Sequence, residues 1–67
     1  MYRIAQLRAE RNMRQIELAQ RAGISQPFLH DLEYGMRGAS HDTLKKIANA
    51  LECTIEDLKG EPDRTAV

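Results

Sequence analysis

Cysteine occurs once in this chain, at Cys53, and tryptophan not at all. A lone thiol closes no intrachain disulfide, and Cys53 lacks the paired spacing of a zinc site, which excludes a stapled secreted miniprotein and points to a reducing compartment. Long apolar runs are missing too. Nothing approaches the roughly 18 residues of a membrane span, and Met1-Tyr2-Arg3-Ile4-Ala5-Gln6 has no signal-peptide apolar region. The expected location is the cytoplasm, with no membrane partner. Paired carboxylates, an activated nucleophile and a glycine-rich phosphate loop are likewise absent, so the residues do not read as an enzyme. His30 and His41 have no second histidine or cysteine at i+3 or i+4, and the expected metal and cofactor content is none. Even net charge is lacking: ten basic residues balance ten acidic ones, and the overall basic footprint of a nucleic-acid binder is not there.

What is present is an ordinary soluble balance, 42% hydrophobic and 30% charged, in 67 residues. That length lies near the lower limit for a core without staples, so one domain is the ceiling. The charge is unevenly spread. Residues 1–37 carry six arginines against Glu10, Glu17, Asp31 and Glu33, while residues 38–67 carry four basic and six acidic residues, so the halves stand at +2 and −2. The N-terminal half is the electropositive one.

Apolar residues recur with the helical period and β-branched residues never cluster, so the expected fold class is all-α. The expected architecture is a five-helix bundle over residues 1–60, followed by a frayed tail over 61–67. Ile4, Leu7, Arg8 and Arg11 fall at i, i+3, i+4 and i+7, which predicts a first helix over about residues 2–11 with Asn12 as its stop. A second runs from Gln15 to Ala22, turns Ile16, Leu18, Ala19 and Ala22 inward, and is closed by Gly23, which tolerates the left-handed conformation. Ser25 or Gln26 opens a third. Pro27 sits in its first turn, where the missing N–H is not needed, Phe28, Leu29 and Leu32 are buried, and Gly35 and Gly38 end it. Ser40 or Asp42 caps a fourth, whose Leu44, Ile47, Ala48 and Leu51 form the cleanest stripe in the chain. Thr54, with Asp57 three positions on, makes a capping-box variant and starts a one-turn fifth helix through Leu58; Gly60 and Pro62 finish the fold. Ile24, Ile55 and Leu58 complete the predicted core.

The segment from Gln15 to Tyr34 spans two short helices and a tight turn. Helices crossing at about 90–120° through a 3–4-residue turn need a small residue where the backbones meet, a glycine in the turn and apolar residues in the angle. Ala19, Gly23, and the set Leu18, Ala22, Ile24, Leu29 and Leu32 supply these. With the blocks Ile4 to Arg8, Gln15 to Ala19, Gly23 to Ser25, Leu29 to Gly35, Thr43 to Leu51 and Ile55 to Leu58, the chain resembles the Cro/CI-type helix-turn-helix family of phage repressors and bacterial regulators from Ile4 to Gly60. The resemblance implies a lambda repressor-like five-helix domain whose third helix enters the major groove. It implies that Gln26, Pro27 and Asp31 face bases and that Gln15 and Arg37 face phosphates; Arg14, Ser25 and His30 complete the expected DNA-facing set. A helix N-terminus suits a phosphate because its free N–H groups and positive dipole end attract an anion.

Four departures from the family pattern stand out. Arg14 replaces a small capping residue and cannot accept a hydrogen bond, so its charge is left to serve a phosphate. Pro27 replaces a polar residue and offers a ring to a thymine methyl instead of a donor. Asp31 stands where Arg, Lys or Gln is usual, and its carboxylate either accepts from cytosine or stands idle. Gly38-Ala39 replaces a proline-containing turn. The resemblance also implies a structural ion pair between Arg8 and Glu33, joining the first helix to the third. Phe28 and Cys53 are expected in the core.

The expected function is sequence-specific double-stranded DNA binding by a dimeric transcriptional regulator, a repressor by resemblance. The alternative is an antitoxin or other protein-interaction module in which DNA binding is secondary; a small-molecule sensor ranks last, because no effector domain follows the motif. One domain this small reads too few base pairs to be specific, so a homodimer on an inverted-repeat operator is expected, assembled on the DNA. Met36, Ile55 and Leu58 are its apolar interface candidates.

Overall fold

Backbone hydrogen bonding follows the predicted phases closely. The computed structural model describes residues 2–59, all-helical with α1 (Ile4–Glu10), α2 (Gln15–Ala22), α3 (Gln26–Glu33), α4 (His41–Leu51) and α5 (Ile55–Lys59). The tail over 61–67 lies outside the described residues. No helix among those described is long and apolar enough to cross a membrane. The first helix begins at Ile4, two residues later than predicted: Arg3 stands outside helical geometry as its N-cap residue, and its N–H donates to the Leu58 carbonyl at 2.7 Å, which ties the chain's start to α5.

Local chemistry sets most of the described helix ends. Asn12 takes φ +53° after α1, the left-handed state that asparagine accepts more readily than most residues. Arg14 precedes α2 without a side-chain cap, as its chemistry requires, but Glu17 supplies the other half of a capping box by accepting the Arg14 backbone N–H at 2.8 Å. That bond, above all, holds the Glu17 carboxyl below its usual range. Ser25 caps α3 through Phe28 N–H at 3.2 Å, and Ser40, rather than Asp42, caps α4 through Thr43 N–H at 3.2 Å. Thr54 and Asp57 exchange reciprocal bonds of 3.1 Å at the start of α5. At the end of α4 stands Glu52 with φ +58°, a left-handed position that its residue type does not announce.

The buried stripes of all five helices converge on one core. Ile4, Leu18, Leu29, Leu32, Ile47, Leu51 and Leu58 are fully enclosed, with Leu7, Ala19, Ala22, Leu44 and Ala48 beside them. α2 packs on α3 and α4, α4 on α5, and α1 on α2 and α3. Ile24, Phe28, Cys53 and Ile55 are only partly buried and close the edges of this core. Ile16 is a correction: it is 38% exposed, because the α2 stripe centred on Leu18 and Ala19 turns it outward. Burial first, and then the charge of Asp57, push the Cys53 thiol up from its ordinary range. The loop between α3 and α4 is pinned from outside, with Ala39 N–H donating to the Tyr2 hydroxyl at 3.3 Å.

Candidate nucleic-acid interface

α2 and α3 are joined by Gly23, Ile24 and Ser25 alone. Gly23 has φ +72°, and a Cβ built there would meet nothing within 4 Å, so the dihedral and not the space demands glycine. Its N–H donates to Gln20 O at 3.2 Å, and Ile24 N–H reaches back to Ala19 O at 3.0 Å, turning the chain sharply enough for α3 to start across α2. Ala19, 1% exposed, lies in the angle between them.

This crossing brings Gln15, Gln26, Pro27, His30 and Asp31 around one shallow depression on the surface. Gln26 and Pro27 form the exposed first turn of α3, and Ser25 is committed to capping that turn. Arg14 extends into solvent beside Gln15, its side chain 79% exposed. His30 stacks on Tyr34 with ring centroids 4.3 Å apart. Arg37 stands apart from the depression but is linked to it, its Nε 3.5 Å from Asp31 and its guanidinium 5.6 Å from the Phe28 ring centroid.

Beneath the depression runs a polar relay. Glu33, on the inner face of α3 with its side chain 1% exposed, receives Arg8 Nε at 2.8 Å and Arg8 Nη2 at 3.1 Å. Arg8 Nη1 donates to the Met13 carbonyl at 3.0 Å. Gln15 Nε2 donates to the same Glu33 carboxylate at 3.0 Å, and Gln15 Oε1 accepts from Gln26 Nε2 at 3.2 Å. A carboxylate only accepts, so it fixes which way the Gln15 amide faces, and that in turn fixes Gln26. One N–H and the carbonyl oxygen of Gln26 are left free for a ligand. Among the described residues, no buried side-chain polar atom lacks a partner.

Residues 3–60 match the Cro/C1-type HTH DNA-binding domain. The chain belongs to that family. It is 41% identical over 56 residues to the HTH-type transcriptional regulator DdrOP3 of Deinococcus deserti, covering 84% of this chain and 43% of that protein. It is 36% identical over 59 residues to the immunity repressor protein of Bacillus phage phi105, covering 88% and 41%. The chain therefore spans about two-fifths of the length of these relatives. Among solved structures it resembles SinR in the SinR/SinI protein complex, with a TM-score of 0.84 and 30% identity over 94% of this chain and 62% of that one. It also resembles the master regulator for biofilm formation SinR in complex with DNA, with a TM-score of 0.77 and 29% identity over 81% of this chain and 87% of the other.

Over residues 3–60 this chain is therefore a Cro/C1-type HTH DNA-binding domain, and its α2–α3 pair carries the exposed polar residues described above. Positions 15, 26 and 31, singled out by the resemblance, are brought together around this one depression. The relay joining Gln15 to the Arg8–Glu33 pair was not legible in the sequence, nor was the attachment of Arg37 to Asp31, because both depend on where α1, α2 and the loop after α3 cross rather than on spacing within one helix.

Proposed function

We propose that the chain is the operator-reading domain of a transcriptional repressor, binding duplex DNA as a two-fold dimer with α3 in the major groove. The observation that carries the reading is the exposed Gln26 amide, oriented from below by Gln15 and Glu33 in a helix-turn-helix domain. Its free N–H and carbonyl match the N7 acceptor and N6 donor of adenine, and pre-orientation lowers the entropy of making that bidentate contact. Pro27 beside it offers apolar contact to a thymine methyl. Gln15, Arg14 and the free nitrogens of Arg37 face the phosphates, which set register without reading sequence.

Gln26→Ala is expected to cost about 1–3 kcal/mol at one base position and to relax specificity there. Gln15→Ala removes a phosphate partner and the support of Gln26, so affinity falls on every sequence and the adenine preference weakens with it. Selection of bound fragments from genomic DNA, repeated with both variants, checks this. Equal losses for Gln26→Ala on operator and random DNA contradict it.

Two recognition helices must lie about 34–36 Å apart to enter successive major grooves, so the operator is an inverted repeat with half-sites about 10–10.5 base pairs apart. The burial pattern narrows the interface. Leu58 is fully enclosed and Ile55 packs on the core, which removes the first and weakens the second as contacts, whereas Met36 is 69% and Tyr34 62% exposed beside the end of α3. Footprinting is expected to protect both half-sites with two chains per duplex. Saturation at one chain on one asymmetric half-site ends the dimer reading. A protein partner is the second reading, favoured by the likeness to SinR in its complex with SinI. A toxin-like reading frame beside the gene, and co-purification of its product, would support it.

A further inference from the structure

A carboxylate on the DNA-facing surface of α3 sits beside a polyanion, and its surroundings say what makes that tolerable. Asp31 lies one turn beyond Pro27 and lines the same depression as Gln15 and Gln26. Its Oδ2 is 3.5 Å from Arg37 Nε and its Oδ1 is 3.5 Å from His30 Nδ1. The backbone makes the first of these durable, because Met36 N–H donates to the Asp31 carbonyl at 2.8 Å and so holds the residue before Arg37 against the helix. The Arg37 guanidinium also rests near the Phe28 ring, at 5.6 Å, which limits its swing. Yet the Asp31 side chain stays 32% exposed, and a carboxylate has about four acceptor positions, so its neighbours do not exhaust it.

We propose that Asp31 is a specificity-determining residue that accepts a hydrogen bond from the N4 amino group of a cytosine in the major groove, with Arg37 as its positioning residue. The inference rests on the DNA-binding reading above and adds the second base class of the operator half-site. An acceptor-only group is repelled by guanine, which presents N7 and O6, and by the O4 of thymine. Adenine offers a donor at N6, but its N7 acceptor lies alongside. Cytosine presents the N4 donor with no acceptor of its own beside it. Arg37 supplies the countercharge that offsets the repulsion between Asp31 and the phosphates, while its remaining nitrogens stay free for a phosphate oxygen.

The test is selection from a pool of randomised duplexes by the wild-type chain and by Asp31→Ala, Asp31→Asn, Arg37→Ala and Asp31→Ala/Arg37→Ala, each first shown to be folded by circular dichroism. The wild type is expected to select cytosine at one position per half-site by roughly 5- to 150-fold over other bases. Asp31→Ala abolishes that preference and binds random DNA more tightly, because a negative charge is gone. Asp31→Asn moves the preference to adenine, whose N6 and N7 suit a carboxamide. Arg37→Ala weakens the cytosine preference in the Asp31 protein, while in the Asp31→Ala background it lowers affinity evenly across sequences. Cytosine selection that survives Asp31→Ala, or an equal Arg37→Ala factor in both backgrounds, overturns the assignment. Selection of the Gln26 base without a cytosine position overturns this inference alone, and no selected sequence at all takes the DNA-reading proposal down with it.

Discussion

Ala19→Glu is expected to leave the chain unfolded at room temperature. Ala19 is 1% exposed on α2, which packs against both α3 and α4. A glutamate there either inserts, burying a carboxylate with no partner at several kcal/mol and overpacking the site by about 1–3 kcal/mol more, or forces the helices apart and exposes the core. A domain of this length holds about 3–10 kcal/mol in total, at roughly 0.05–0.15 kcal/mol per residue. The penalty is of the same size as the whole. Far-ultraviolet circular dichroism should show the helical signal lost in Ala19→Glu and kept in Ala9→Glu, where the same side chain is added on the exposed flank of α1. A folded Ala19→Glu chain would mean that the α2–α3 crossing is looser than the packing here.

Removing Glu33 should damage stability and DNA reading together. Its carboxylate, 1% exposed, takes two bonds from Arg8 and one from Gln15, so Glu33→Ala strands a part-buried guanidinium and frees the Gln15 amide in one step. Breaking a buried pair by deleting one partner costs about 3–5 kcal/mol, which brings a domain this small close to its unfolding midpoint. Urea titration should show a large fall in the denaturation midpoint for Glu33→Ala, and a midpoint equal to wild type would refute the role given to this pair. Replacing both partners separates the two functions. Arg8→Met with Glu33→Leu keeps the volume apolar and is expected to recover most of the stability, since apolar isosteres often serve as well as a buried ion pair. It cannot orient Gln15. The double variant should therefore fold yet select the Gln26 base less sharply, and full selectivity in it would show that the relay is structural only.

The sequence by itself determined that the chain folds as five helices, most of the helix ends and the centre of each buried stripe. These features rest on interactions within about four residues: the period of Leu44, Ile47, Ala48 and Leu51, the Ser25, Ser40 and Thr54 caps, and the left-handed turn at Gly23. The same local rules placed Gln26 and Pro27 on the first turn of α3. They failed where a side chain's environment is set by a second helix. Ile16 reads as core within its own helix but stays 38% exposed, and Leu58 reads equally as core or interface until α4 covers it. Glu52 takes a left-handed φ that no residue type in the loop predicts, because the path from α4 to α5 imposes it. The relay is the clearest case. Arg8 and Glu33 are 25 residues apart and Gln15 and Glu33 are 18 apart, and only the crossing of three helices brings their polar atoms within 3.1 Å. Local periodicity sets the direction in which each side chain leaves its own helix, and tertiary packing decides what it meets.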